Sequence, residues 1–304
     1  MKIVFFGSSK FSVPFLNTIA NQTVLVITSP DRKKNRGKKL LPNPVKEAAE
    51  KLNIKFIATD TLDQGVAQEI KNVQPDLFVV VSYGRIIPSE ILKLVPCAIN
   101  IHPSKLPMYR GAAPIERQIM DGITESAVSV ITVSEKLDRG DIILSEPFKI
   151  ELLETKEDVE KKIISIGTHL LVKAMEKIKN EGCKGEKQKG KGCYAKKISK
   201  EEEEINWQKT NTELHNLIRA LSPVPGARTY FRGKILKIFR TVPEDEYFDE
   251  PSGTIVSVGN DSFSVKCGEG VLKIFEVQVE GKRKISARDF INGFRIKKGE
   301  ILGR

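Results

Sequence analysis

Apolar positions along this chain fall into two regimes. In the first, short unbroken apolar runs alternate with stretches of helical spacing. Lys2–Phe6, Thr23–Thr28, Ile54–Ile57, Leu77–Val81 and Cys97–Ile101 read as strands, and Ser12–Ala20, Pro44–Leu52 and Asp63–Val73 as helices. A run that is apolar at every position suits a strand covered on both faces, and strand–helix alternation predicts a parallel sheet wrapped by helices. The wholly apolar Leu77–Val81 is the natural centre of that sheet. Pro44 suits a first helical turn, where its missing N–H costs nothing. Further on, Pro114–Met120 reads as a helix, Ala127–Val133 as a half-buried strand and Ile142–Lys149 as its successor. Thr155 with Asp158 has the form of a capping box, and the helix it opens places Val159, Ile163, Ile166, Leu170 and Ile178 on one face.

The pattern then changes. Residues 181–205 are rich in Gly and Lys with little apolar period and read as a linker. Thr212–Ala220 is helical. After it, Arg228–Phe231, Lys234–Phe239, Gly253–Val258, Ser262–Lys266 and Leu272–Val279 alternate as short strands between Gly or Asp turns, which predicts a small OB-like β-barrel. Ser286 and Asp289 frame a last short helix. The expected organisation is an α/β catalytic domain over 1–180, a linker over 181–205 and a β-barrel domain over 206–304.

Composition adds a charge bias. The 304 residues carry a formal net charge of +11, consistent with a polyanionic partner or with a lysine-rich soluble surface. Of the four cysteines, Cys97, Cys183, Cys193 and Cys267, none forms a CxxC pair, and with three histidines no metal-ligand spacing emerges. Cys97 reads as a small hydrophobe in a buried strand. Cys183 and Cys193 flank a Lys/Gly run and can approach one another, but four free thiols are the expectation for a reducing compartment. No apolar run reaches the ~18 residues of a membrane span. Ser8–Lys10 interrupts any leader-like core. A soluble cytoplasmic monomer is expected.

Candidate chemistry gathers where a buried strand ends. In CAINIHPSKLPMYRG, residues 97–111, Asn100 and His102 sit two apart and leave one face of the strand, and Pro103 stops it. Polar groups at the carboxyl end of a buried strand lie where open α/β sheets bind ligands. Either residue alone also fits an ordinary loop cap, and Asp138 of EKLDRGD also fits a plain turn. GSSKFS after the first strand is not GxGxxG, so a dinucleotide site has little support. The polar stretch DRKKNRGKK, residues 31–39, suits either a solvated loop or phosphate contact.

NIHPSKLPMYRGAAPI followed by LDRGDIIL resembles the signature of the 10-formyltetrahydrofolate-dependent formyltransferases. RGAAPI, DRKKNRGKKLLPNPVK, INWQKT and LSPVPGA resemble, more narrowly, those whose acceptor is initiator methionyl-tRNA. The resemblance implies a Rossmann-like sheet in the first domain and a C-terminal domain that helps hold tRNA. It implies a catalytic trio of Asn100, His102 and Asp138, with direct transfer of the formyl group and no metal. It also implies a pterin pocket built from Ser104, Lys105, Leu106 and Pro107 with Tyr83, Gly84, Arg85 and Ile86. Arg32, Arg36, Lys38 and Lys39 correspond to the tRNA-contacting loop. Lys105 departs from the pattern, since the family carries an apolar residue there.

Overall fold

The structure, a computed structural model, describes residues 1–33 and 40–303. The chain divides into two compact units: residues 1–112, 126–148 and 160–195 form one, and residues 113–125, 149–159 and 196–304 the other.

A seven-stranded sheet organises the first unit. Its strands are β1 (Ile3–Gly7), β2 (Thr23–Thr28), β3 (Phe56–Ala58), β4 (Leu77–Val81), β5 (Ala98–His102), β6 (Glu125–Thr132) and β7 (Ile142–Lys149), in the order β7-β6-β5-β4-β1-β2-β3. Pairing is parallel from β3 through β5, and β6 joins β5 antiparallel. Every residue of β1 and β4 is buried, as their unbroken apolar runs require, and β4 holds the middle of the sheet. Phe6 of β1 meets Phe78 and Tyr83 edge-on at ring separations of 5.2 and 5.4 Å, inside a cluster with Leu25, Ile27 and Ile70.

Three of the connecting helices start where a side chain satisfies their first amides. α1 spans Val13–Thr18, α2 Pro44–Lys51, α3 Gln64–Val73, α4 Ser89–Leu92, α5 Pro114–Met120 and α6 Lys156–Glu181. Asn43 caps α2 by accepting from the amides of Val45 and Lys46, and Asp63 caps α3 by accepting from Val66. Thr155 and Asp158 make the reciprocal bonds predicted for the start of α6.

The second unit contains α7 (Asn211–Leu221), strands β8 (Ala227–Phe231), β9 (Lys234–Glu244), β10 (Ile255–Val258), β11 (Phe263–Lys266) and β12 (Val271–Val279), and α8 (Ala287–Phe294). The sheet is antiparallel in the order β8-β9-β12-β11-β10, with Ile285–Ser286 added beside β12. The terminal segment joins its two edges: Leu302 donates to Gly253 O beside β10, and Gly303 donates to Tyr230 O of β8, both at 2.8 Å. The terminal segment thus bridges the two edges of an antiparallel sheet whose edge strands are not neighbours in its order. Trp207, Leu214, Ile218, Leu236, Phe263 and Phe290 build the core beneath.

One sequence expectation is overturned. Cys97, just before β5, is bonded to Cys183, just after α6, with Cα atoms 5.6 Å apart. The free cysteines are Cys193 and Cys267. The bonded pair is separated by 86 residues, so nothing in local spacing indicates it; the return of α6 along the sheet makes them neighbours. Among the described residues, no helix is long and apolar enough to cross a membrane.

Candidate active site

β5 carries Asn100 and His102 on one face, as period-two geometry dictates, between β4 and β6. The turn joining β6 to β7 brings Asp138 to the same place. Asn100 Nδ2 donates to Asp138 Oδ1 at 3.3 Å, and His102 Nδ1 lies 3.6 Å from Asp138 Oδ2. The latter is an ion-pair distance without a hydrogen bond. The backbone amide of Gly111 donates to the same Oδ2 at 2.8 Å. Asn100 and His102 therefore meet at the carboxylate of Asp138, the third side chain singled out from the sequence.

The turn is held in an unusual shape. Asp138 has φ +52°, a left-handed conformation uncommon for a side chain with a Cβ. Two residues on, Gly140 approaches β6 so closely that an added Cβ would stand 1.6 Å from Thr132 O. Only glycine fits there.

Burial and hydrogen bonding set the state of His102. It is 3% exposed, and loss of hydration lowers its pKa below the usual histidine value of 6.5; the Arg110 charge lowers it further, while Asp138 and the Tyr109 carbonyl oppose the shift. His102 Nε2 donates to Tyr109 O at 3.0 Å. That bond assigns the proton of the neutral ring to Nε2 and leaves Nδ1 as the open acceptor, facing Asp138. A proton arriving at Nδ1 is stabilised by the adjacent carboxylate. The site thus offers an amide N–H donor, a neutral base and a charge to balance that base once protonated.

The remaining residues singled out from sequence occupy distinct places. Ser104 is buried and donates to Met108 O at 2.6 Å, so its hydroxyl holds the loop; Leu106 is buried and Lys105 exposed. Tyr83, Gly84 and Arg85 line a cleft of about 390 Å³ with Ser8, Ser29 and Arg32, at the carboxyl ends of β1, β2 and β4. Among the described residues its lining includes none of Ser104–Pro107. The Tyr83 hydroxyl is buried without a partner, and burial pushes its pKa up to about 12. Arg85 donates to Thr59 O and pairs with Asp60, which also lies 4.0 Å from Arg32; Ile86 is 74% exposed. Arg36, Lys38 and Lys39 lie outside the described residues. Among those described, no group of His, Cys, Asp and Glu is placed to hold a metal ion.

Two residues of the site carry no signal that sequence reading picked up. Arg110 lies inside the quoted MYRG run, and Gln188 inside the stretch expected as a linker. Arg110 Nε and Nη2 donate to Gln188 Oε1 at 3.1 and 2.5 Å, and both side chains reach the Asp138 carbonyl.

Comparison with known proteins places this geometry. Residues 1–175 match the formyl transferase family model, and residues 197–295 match that of the formyl transferase C-terminal domain. A methionyl-tRNA formyltransferase of Natranaerobius thermophilus is 40% identical over 98% of this chain and 99% of its own length. One from Syntrophomonas wolfei is 36% identical over 100% of this chain and 99% of its own. Among solved structures, the sugar 3N-formyl transferase WlaRD, crystallised in the presence of dTDP and 5-N-formyl-THF, aligns with a TM-score of 0.67 at 25% identity, covering 93% of this chain and 99% of that one. The chain belongs to the formyl transferase family, among the methionyl-tRNA formyltransferases.

Proposed function

We propose that this enzyme transfers a formyl group from 10-formyltetrahydrofolate to the amino group of methionine on initiator methionyl-tRNA, in the cytoplasm, during translation initiation. The reading is carried by the meeting of Asn100, His102 and Asp138 at the end of β5 in a chain whose full-length relatives bear that enzyme's name.

The residues divide the work of acyl transfer. Asn100 Nδ2 donates to the formyl oxygen as negative charge grows on it, an interaction whose loss typically costs ~10²–10³ in rate. His102 takes the proton released by the attacking amine at Nδ1, the nitrogen left open by the bond to Tyr109 O. Asp138 orients Asn100 and balances the charge formed on His102. The new C–N bond forms as the bond to the folate nitrogen breaks, and the proton held by His102 is available to that leaving nitrogen. Ser104–Pro107 and Tyr83–Ile86 supply the walls for the folate. The loop carrying Arg32, Arg36, Lys38 and Lys39 meets the phosphates of the tRNA, in keeping with the net charge of +11. Metal is not needed for any of these steps.

A sugar-nucleotide acceptor is the competing reading, and likeness to WlaRD favours it. Incubating the enzyme with 10-formyltetrahydrofolate and, in turn, charged initiator tRNA, an amino sugar nucleotide and glycinamide ribonucleotide separates them. Formylation of the charged tRNA at a kcat/KM far above either small acceptor is expected. Preference for a small acceptor overturns the proposal.

A further inference from the structure

We infer that Gln188 is a positioning residue for the reaction, acting with Arg110 to hold the 138–140 turn so that the Asp138 carboxylate is aimed at Asn100 and His102. The inference rests on the proposed reaction for its rate effect and on geometry for the rest.

Every hydrogen-bonding valence of the Gln188 amide is committed. Its Oε1 accepts two bonds from Arg110, and its Nε2 donates to Asp138 O at 2.9 Å and Gly140 O at 2.8 Å. Arg110 Nε reaches Asp138 O as well, at 3.2 Å. These bonds grip the main chain at Asp138, whose backbone is left-handed, and again two residues beyond it. Such a conformation costs on the order of 1–2 kcal/mol and persists only where neighbouring structure over-determines it. The carboxylate is held from its other end by Gly111 N and Asn100 Nδ2. Backbone and side chain of Asp138 are thus fixed independently, and Gln188 supplies two bonds of the backbone half, to Asp138 O and Gly140 O.

The segment carrying Gln188 is built to sit there. Glu186 and Ile142 exchange two backbone bonds at 2.8 and 2.9 Å, and Tyr194–Ala195 pairs in parallel with Arg110–Gly111. Cys193 O accepts from Arg110 N, and Cys193 Sγ accepts from Tyr109 N at 3.2 Å. Close approach depends on absent side chains: a Cβ on Gly192 would stand 2.3 Å from Pro107 O, and one on Gly111 would stand 2.6 Å from Ala195 O. The Gly content that makes this stretch look like a linker is what lets it lie flat against the catalytic turn.

The test uses Gln188→Met, which keeps volume and removes all four bonds, and Gln188→Glu, which keeps the Arg110 contact and removes both donors. Turnover of charged tRNA is measured alongside the NMR titration of His102 in the full chain without substrates. The groups facing that imidazole are Asp138, Arg110 and the Tyr109 carbonyl. For Gln188→Met we expect kcat to fall roughly 10–100-fold with KM for both substrates within about twofold, the scale of a misaimed catalytic group. We also expect the His102 midpoint to move lower, since a displaced carboxylate supports the imidazolium less. Gln188→Glu brings a charge on Arg110 that itself raises the His102 midpoint, so it is read by kcat alone, and a fall of the same kind in the folded protein decides the matter if the Met variant does not fold. A purely structural role lowers melting temperature while leaving both the kcat of the folded fraction and the His102 midpoint at wild-type values. That result, or a change in only one of the two in Gln188→Met, overturns the inference. If wild-type protein formylates no charged tRNA, the functional reading fails and the titration alone decides the positioning role.

Discussion

At the scale of single residues, burial decides chemistry more than identity does. His102 is kept neutral by its dry surroundings, and His215, bonded to Thr241 Oγ1 and Leu152 O, is pushed in the same direction. A histidine whose folded pKa lies below its unfolded value binds fewer protons in the native state. Stability is therefore undiminished above the unfolded value of about 6.5 and falls as pH drops below it. A urea midpoint lower at pH 5.5 than at pH 7.5 is expected, with a smaller drop in His102→Asn. Asn100→Ala and Asp138→Ala are expected to lose roughly 10²–10³ in kcat while keeping near-native circular dichroism, because in the proposed mechanism each removes a group acting on developing charge. Rates near wild type in either variant remove the trio from the mechanism. The two free thiols differ in the same way: Cys267 is fully buried with its pKa raised to about 12, whereas Cys193 is partly exposed. Iodoacetamide on the native protein should therefore label Cys193 and spare Cys267, as peptide mass spectrometry can read.

Elements owe their ends to identifiable caps and glycines. In α7 the Thr210 hydroxyl accepts from the Glu213 amide while Glu213 returns a bond to Thr210 N. Thr210→Ala should cost about 1 kcal/mol, measured as a shift in denaturant midpoint. The glycines divide sharply. Gly140→Ala drives a methyl into Thr132 O and should both destabilise the protein and misplace Asp138, whereas Gly293, on α8 with nothing within 4 Å, accepts one freely. Gly293→Ala is expected to raise stability by about 0.4–1 kcal/mol. A loss there would count against the open surroundings of that position.

For the whole molecule, net charge is the property with a direct consequence. At +11, binding of a polyanionic acceptor should weaken linearly in log affinity against log salt, while a small acceptor shows little slope. Measuring tRNA affinity at several salt concentrations reads this directly, and a flat dependence removes phosphate contact as the main source of affinity. The Cys97–Cys183 link also belongs to this scale, because it ties the start of β5 to the end of α6 across the first unit.

Much of this protein is written locally. Unbroken apolar runs determine β1, β2 and β4, the Thr155–Asp158 and Thr210–Glu213 pairs determine helix starts, and period two puts Asn100 and His102 on one face. These features depend on neighbours a few residues away, which is what a sequence displays. The joining of Asp138 to that pair, the dry setting that neutralises His102, the Cys97–Cys183 bond and the clasp of Gln188 on the 138–140 turn were decided by chain return over tens of residues. Hydration, backbone strain and hydrogen-bond satisfaction at such places depend on what folds against them, and no local pattern encodes that.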